Sequence, residues 1–179
     1  MKQLRLAIPD ISLAEEIRSY RAAMLDAGSS MDGCGSLRRH EDPADWLAFN
    51  AKLANPYTVP EGLAPSTQYV CLNRQGRILG MIQLRHAMTD YLRLYAGHIG
   101  YSVRPDERRR GYATWMLRAV LAEARSRGME RLMVSCLTDN EGSRRTILAC
   151  GGVYESTVHE PKENVDLQRY WIELGKPNQ

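Results

Sequence analysis

Apolar positions change their period along the chain. Gln3 to Ile8 alternates and predicts a short first strand. Leu13, Ile17, Tyr20 and Met24 then recur at one-face helical spacing, and Ser12-Leu13-Ala14-Glu15 has capping-box spacing at its start. A Gly- and Ser-rich loop from Gly28 to Ser36 follows. Asp42 and Pro43 fit the N-cap and first position of a second helix with Trp46, Phe49 and Leu53 as its stripe. Pro56, Pro60, Gly62 and Pro65 end that helix in an irregular connector. After Thr67 the period shortens. Tyr69 to Leu72 reads as a strand, Asn73-Arg74-Gln75-Gly76 as a hairpin turn and Arg77 to Leu84 as the return strand. His86 to Gly97 has no clear period and reads as a loop. His98 to Val103 predicts a strand stopped by Pro105. Ala113, Met116, Leu117, Val120, Leu121 and Ala124 mark the inner side of a helix that Gly128 closes. Arg131 to Leu137 is largely apolar, as for a strand covered on both faces. Thr138, Asp139 or Asn140 can cap a last short helix ending at Cys150-Gly151-Gly152. Val153 to His159 and Gln168 to Leu174 predict two closing strands. The order predicts an α+β domain around one twisted sheet.

Composition narrows the class without naming a function. With 179 residues, 44% hydrophobic and 25% charged, the chain suits one globular domain, 1–179, large enough to fold without a metal or disulfide. No apolar run reaches membrane-span length, and MKQLRLAIPD lacks the apolar region of a signal peptide, so a cytoplasmic protein without a membrane partner is expected. Cys34, Cys71, Cys136 and Cys150 form no CxxC or zinc spacing. They read as reduced thiols, with Cys71 and Cys136 in the core and no metal site. The net charge is 24 − 21 = +3. That is too little to argue for nucleic acid. Its placement is more telling, because Arg104, Arg108, Arg109 and Arg110 against Asp106 and Glu107 put 4 − 2 = +2 into one strand–helix turn.

That turn, Arg108-Arg109-Arg110-Gly111-Tyr112-Ala113, carries the chemistry. The first N–H groups of a helix lack intrahelical partners and, with the positive end of the helix dipole, favour an anion. Gly111 lets the backbone approach a ligand, Ala113 keeps the next turn open, and the arginines suit phosphate. A phosphate or pyrophosphate is the expected ligand. The competing readings are a plain turn with a solvated arginine face, or a nucleic-acid surface. The scarcity of aromatics near the turn disfavours the latter. Neither GxxxxGK[ST] nor GxGxxG is present.

Arg108-x-x-Gly111-x-Ala113 resembles the [Q/R]-x-x-G-x-[G/A] signature of the GNAT superfamily of N-acetyltransferases. Tyr101-Ser102-Val103-Arg104-Pro105 before it, Thr138-Asp139-Asn140 after the next strand, Cys150-Gly151-Gly152 and Gln168 to Leu174 resemble that family's flanking elements. The resemblance covers 67–174, the expected cofactor core, and 1–66 matches only in its strand–helix–helix order. It implies a mostly antiparallel, mixed sheet in which a splayed strand pair, Tyr101 to Val103 against Arg131 to Leu137, forms the acetyl-CoA cleft. Backbone at Tyr101, Ser102 and Val103 would meet pantetheine. Arg108, Arg109, Arg110, Gly111, Tyr112, Ala113 and Thr114 would hold the pyrophosphate, and Asn140 and Ser143 would touch the cosubstrate. The implied reaction is direct acetyl transfer from acetyl-CoA to the primary amine of a small molecule or peptide. A homodimer is compatible with the family, though no residue here sets it.

The catalytic half departs from the family pattern. Ile147 stands where many relatives have a tyrosine acid, Gly97 where many have a glutamate base, and Gly152 where a phenylalanine is usual. An alkyl amine must lose a proton before it attacks, and the departing thiolate gains one. His98 is the candidate base, with His86 behind it. Ser143 and Tyr154 are the candidate acids, and each of these residues has packing or capping as its alternative. Tyr91 and Tyr95 are candidates for the acceptor cleft, Arg104 and Arg109 for exposed charge. The vacancies at Gly97 and Ile147 also admit a CoA-binding sensor that has lost catalysis.

Overall fold

The computed structural model describes residues 3–175. Seven strands form one sheet: β1 (Arg5–Ala7), β2 (Ser66–Leu72), β3 (Ile78–Arg85), β4 (Ile99–Val103), β5 (Arg131–Leu137), β6 (Val153–Glu160) and β7 (Val165–Glu173). Their order is β1-β2-β3-β4-β5-β7-β6. Every neighbouring pair is antiparallel except β4 and β5, which are parallel. This is the expected mixed, mostly antiparallel sheet.

Helices cover both faces because successive side chains of a strand point to opposite sides. Val70 and Leu72 of β2 join Ile17, Tyr20, Met24 and Trp46 from α1 (Ala14–Asp26) and α2 (Pro43–Ala54) in one core. Tyr69 and Cys71 of the same strand join Met116, Leu117 and Val120 of α3 (Tyr112–Ser126) and Ile147 of α4 (Glu141–Ala149) in the other. β2 is buried along its whole length for that reason.

Several local expectations hold. Asp42 accepts from Ala44 N–H with Pro43 in the first turn of α2. Arg131–Leu137 is a strand, and of the three cap candidates it is Asn140 whose side chain accepts from Ser143 N–H. Others are corrected. The Ser12–Glu15 capping box does not form. Asp10 caps a short 3-10 turn, Ile11–Leu13, by accepting from Ser12 N–H, and α1 begins at Ala14 without a side-chain cap. Phe49 is half-buried beside His40, and Asn50 takes the buried place in the α2 stripe. His86 to Gly97 is not all loop, since Leu92–Ala96 is a π-helix whose wider turn breaks the 3.6-residue spacing. Arg104 is 9% exposed rather than a surface charge. It donates to Ser19 Oγ at 2.8 Å.

Candidate active site

The two parallel strands meet at one end only. Ile99 and Val134 are the single registered pair between β4 and β5. The junction is clamped just before β4, where His98 N–H donates to Met133 O at 2.8 Å and Met133 N–H donates to His98 Nδ1 at 2.9 Å. Gly97 fits there because a Cβ would lie 2.4 Å from Met133 O. Beyond Ile99 the strands part. The edge of β4 at Tyr101, Ser102 and Val103 pairs with β3 on one side and with no strand on the other. The gap is the mouth of a cleft of about 1250 Å³. Tyr101 to Val103 line one wall, Ser135 to Leu137 the other, and the start of α3 closes its far end.

Two residues with positive φ shape that far end, Arg109 at 61° and Gly111 at 83°. A Cβ on Gly111 would meet no protein atom within 4 Å. Glycine is favoured there by backbone conformation, and the open space above it is free for a ligand. Gly111, Tyr112, Ala113 and Thr114 all border the cleft. A helix start bordering the cleft and a β4 edge that pairs with no strand suit the two halves of acetyl-CoA, one anionic and one amide-bearing.

The three arginines separate. Arg108 and Arg109 border the cleft. Arg108 also ties the turn to its neighbours, with Nε donating to the Val103 backbone O at 3.2 Å and Nη2 to the Ser29 hydroxyl at 2.7 Å. Arg110 pairs with Glu107 at 2.9 Å and lines a separate hollow beside β3. Glu107, 7% exposed, also receives Arg77 at 2.6 Å, and Asp106 pairs with Arg77 and Arg104. Much of the local positive charge is therefore bound within the protein.

The candidate catalytic residues also separate. Ser143 lines the cleft, and its Oγ is 2.7 Å from the Tyr101 hydroxyl, joining α4 to β4. Asn140 holds the Ser143 backbone at 3.0 Å. Burial raises the Tyr101 phenol well above its usual pKa, so this pair stays protonated. The resemblance points only to the Tyr101 backbone; its hydroxyl contact depends on the approach of α4. His98 does not border the cleft. Its Nδ1 already accepts from Met133, its ring meets Trp171 edge-on, and burial, followed by the nearby Arg85, lowers its pKa to about 4. The expected base is thus built into the strand junction. Tyr154 is 52% exposed, bonds Thr157 at 2.9 Å and stands edge-on to Tyr170, away from the cleft. His86 bonds Thr67 Oγ at 2.8 Å. Cys136 lies in the cleft wall, where burial raises its thiol pKa and keeps it a poor nucleophile. Ile147 is fully buried in the α3–α4 core, and a Cβ on Gly152 would lie 2.4 Å from its Cγ2.

The near end of the cleft holds groups that the sequence scatters. Tyr91 and Tyr95, 5.2 Å apart, come from the π-helical segment. Asp32 comes from the loop after α1, Arg85 from the end of β3, and Glu160 and Glu163 from the β6–β7 hairpin. Glu160 is 1% exposed and accepts from Lys162 and Glu163 N–H. Tyr91 and Tyr95 were candidates for this place, whereas Asp32, Arg85, Glu160 and Glu163, spread over more than a hundred residues, form no motif to find them by.

A parallel strand pair splayed around a cleft that ends at a helix start is the arrangement expected of a transferase that uses an acyl-CoA. Residues 33–151 match the acetyltransferase (GNAT) family, and the chain belongs to it. It is an acetyl-CoA-dependent N-acetyltransferase. The fold is shared with ribosomal-protein-S5-alanine acetyltransferase from Vibrio fischeri, at a TM-score of 0.77 and 16% identity, covering 100% of this chain and 97% of that one. It is shared with the acetyltransferase from Salmonella typhimurium that modifies the N-terminal serine of ribosomal protein L7/L12, at 0.70 and 17%, covering 97% and 96%. The microcin C7 self-immunity acetyltransferase MccE, in complex with acetyl-CoA and AMP, is similar at 0.68 and 19%, covering 96% and 92%. No curated protein sequence matches the chain significantly. Among the described residues no group of three or more His, Cys, Asp or Glu could hold a metal, and no helix is long and apolar enough to cross a membrane.

Proposed function

We propose that acetyl-CoA lies along β4 with its pyrophosphate on the Gly111 turn, and that an amine enters from the end lined by Asp32, Tyr91 and Glu160. The observation that carries this reading is the opening between β4 and β5, one registered pair wide at its closed end. The amine attacks the thioester carbonyl, the new C–N bond forms and the C–S bond breaks. Ser143, backed by the Tyr101 hydroxyl, gives the departing sulfur its proton. The amine's proton leaves toward the carboxylates of the acceptor end, directly or through water, rather than to His98. The acceptor is a primary amine of a small molecule or peptide. The same proposal sets the reaction in the cytoplasm, supported by four free cysteines, three of them buried as thiols. The reading of a sensor without catalysis gains no support, because Ser143 faces the cleft although Ile147 does not.

Release of free CoA thiol from acetyl-CoA, followed while amines are added one at a time, tests this. Amine-dependent thiol release with a matching acetylated product is expected. Binding of acetyl-CoA with no product from small amines, polyamines and peptides would leave the sensor as the better account.

A further inference from the structure

The acceptor end of the cleft contains a cation that the fold leaves incompletely matched. Arg85 is half-buried, and its Nη1 donates to Ala96 O at 3.4 Å and Gly97 O at 3.1 Å. Its Nη2 and Nε make no hydrogen bond, and it forms no ion pair, among the described residues. Asp32 is near enough for its field to favour the charged guanidinium without pairing with it. A guanidinium withdrawn from water and met only by carbonyls gains most from a carboxylate, whose geometry matches its planar fork.

The wall beside Arg85 is closely packed. Gly33 is pressed onto β4, and a Cβ on it would lie 1.9 Å from Gly100 O. Buried Gln68 fixes this contact by donating Nε2 to Gly33 O at 2.8 Å. The Gly33 N–H has no hydrogen-bond partner among the described residues. A Cβ on Gly100 would stand 2.9 Å from the Gly33 nitrogen and 3.5 Å from Arg85 Nη2. The bare α-carbon of Gly100 thus lets the Gly33 backbone and the Arg85 guanidinium pack directly onto the cleft wall, one residue beyond the Ile99–Val134 junction.

We propose that the acceptor is an amine that also carries a carboxylate, an α-amino acid or close analogue, with the Arg85 guanidinium as its carboxylate subsite. This rests on the acetyltransferase reading. Asp32, and Glu160 beyond it, then face the ammonium end of the zwitterion, the side from which a proton must leave. Tyr91 and Tyr95 flank the space left for the side chain. A diamine has no group for Arg85, and a protein N-terminus has an amide where the carboxylate would be.

The test compares each of several L-amino acids with its own primary amide, and with a diamine, by CoA-thiol release. In the wild-type protein kcat/KM for the acid exceeds that for the amide by about 10- to 100-fold, as expected for a hydrogen bond between charged groups. Arg85→Gln lowers the acid far more than the amide and brings the ratio to about one, and Arg85→Lys restores part of it. A merely structural Arg85 would lower both alike, and that result would overturn the proposal. Amides or diamines used as well as acids would also overturn it. So would no turnover of any amino acid by a protein whose melting temperature acetyl-CoA raises. If acetyl-CoA gives no such rise, the transferase reading itself fails, and the subsite with it. Should Arg85→Gln not fold, the wild-type ratio of acid to amide decides alone.

Discussion

Ser143 and His98 were drawn from the same kind of sequence argument, and their surroundings give them different work. The Ser143 hydroxyl is 2.7 Å from the Tyr101 hydroxyl and lies in the cleft, so a proton given to a thiolate can be replaced from its neighbour. Ser143→Ala should lower kcat about 100-fold with KM for acetyl-CoA near its wild-type value. Unchanged steady-state kinetics would remove Ser143 as the acid. His98 titrates near pH 4 in the folded protein against an ordinary value of 6.5. The unfolded chain therefore binds the extra proton between those values, and stability is full above pH 6.5 and falls as pH drops toward 4. His98→Gln should flatten the decline of melting temperature from pH 6.5 to 4. It should introduce no change in the rate–pH profile between pH 6 and 8. Both residues were legible as types with useful chemistry. Which of them faces the cleft depends on the direction of β4 at one strand junction, and no local spacing encodes that.

Elements were legible where the signal is local. Asp42-Pro43 marks the start of α2, and the 3.6-residue stripe from Ala113 to Ala124 marks α3. The capping box at Ser12 failed because Asp10, two residues earlier, captures the Ser12 N–H first and the chain enters α1 through a 3-10 turn. The π-helical segment escaped because its turn is wider than the pattern sought. The docking of the loop after α1 onto β4 was equally hidden, though two glycines were visible. Gly33 combines φ of 70° with a Cβ position 1.9 Å from Gly100 O. Gly33→Ala should cost about 2–4 kcal/mol, from overpacking and left-handed strain together. It should also move Asp32, so thermal denaturation and acceptor KM should change together. A variant with wild-type melting temperature and KM would show that the loop does not need this contact.

At the scale of the whole molecule, two cores grip the sheet from opposite faces and leave one seam open between β4 and β5. Filling that seam should stabilise the protein as a unit. Acetyl-CoA at about 100 times its dissociation constant adds about 2.7 kcal/mol to the folded state. For a chain of this size that raises the melting temperature by about 5–10 °C. Gly111→Glu, which puts a carboxylate and a strained φ at the pyrophosphate turn, should abolish the rise. A full rise in that variant would place the pyrophosphate elsewhere.

The six residues from Arg108 to Ala113, read with the strand before them and the asparagine after the next strand, were enough for the fold and for acetyl-CoA. Anion binding at a helix start depends on backbone N–H groups whose placement a short contiguous segment controls. The small charge surplus looked like part of that signal. In the folded chain Glu107 and Asp106 take up Arg77, Arg104 and Arg110, so the proposed phosphate site falls to the helix start, Gly111 and the cleft-lining Arg108 and Arg109. Tyr91 and Tyr95 were candidates for the acceptor cleft from the sequence, but which groups join them there was decided by tertiary structure. Asp32, Arg85, Tyr91 and Glu160 reach one end of one cleft from four segments, because Gly33 can lie against Gly100 and because β4 and β5 part after a single pair.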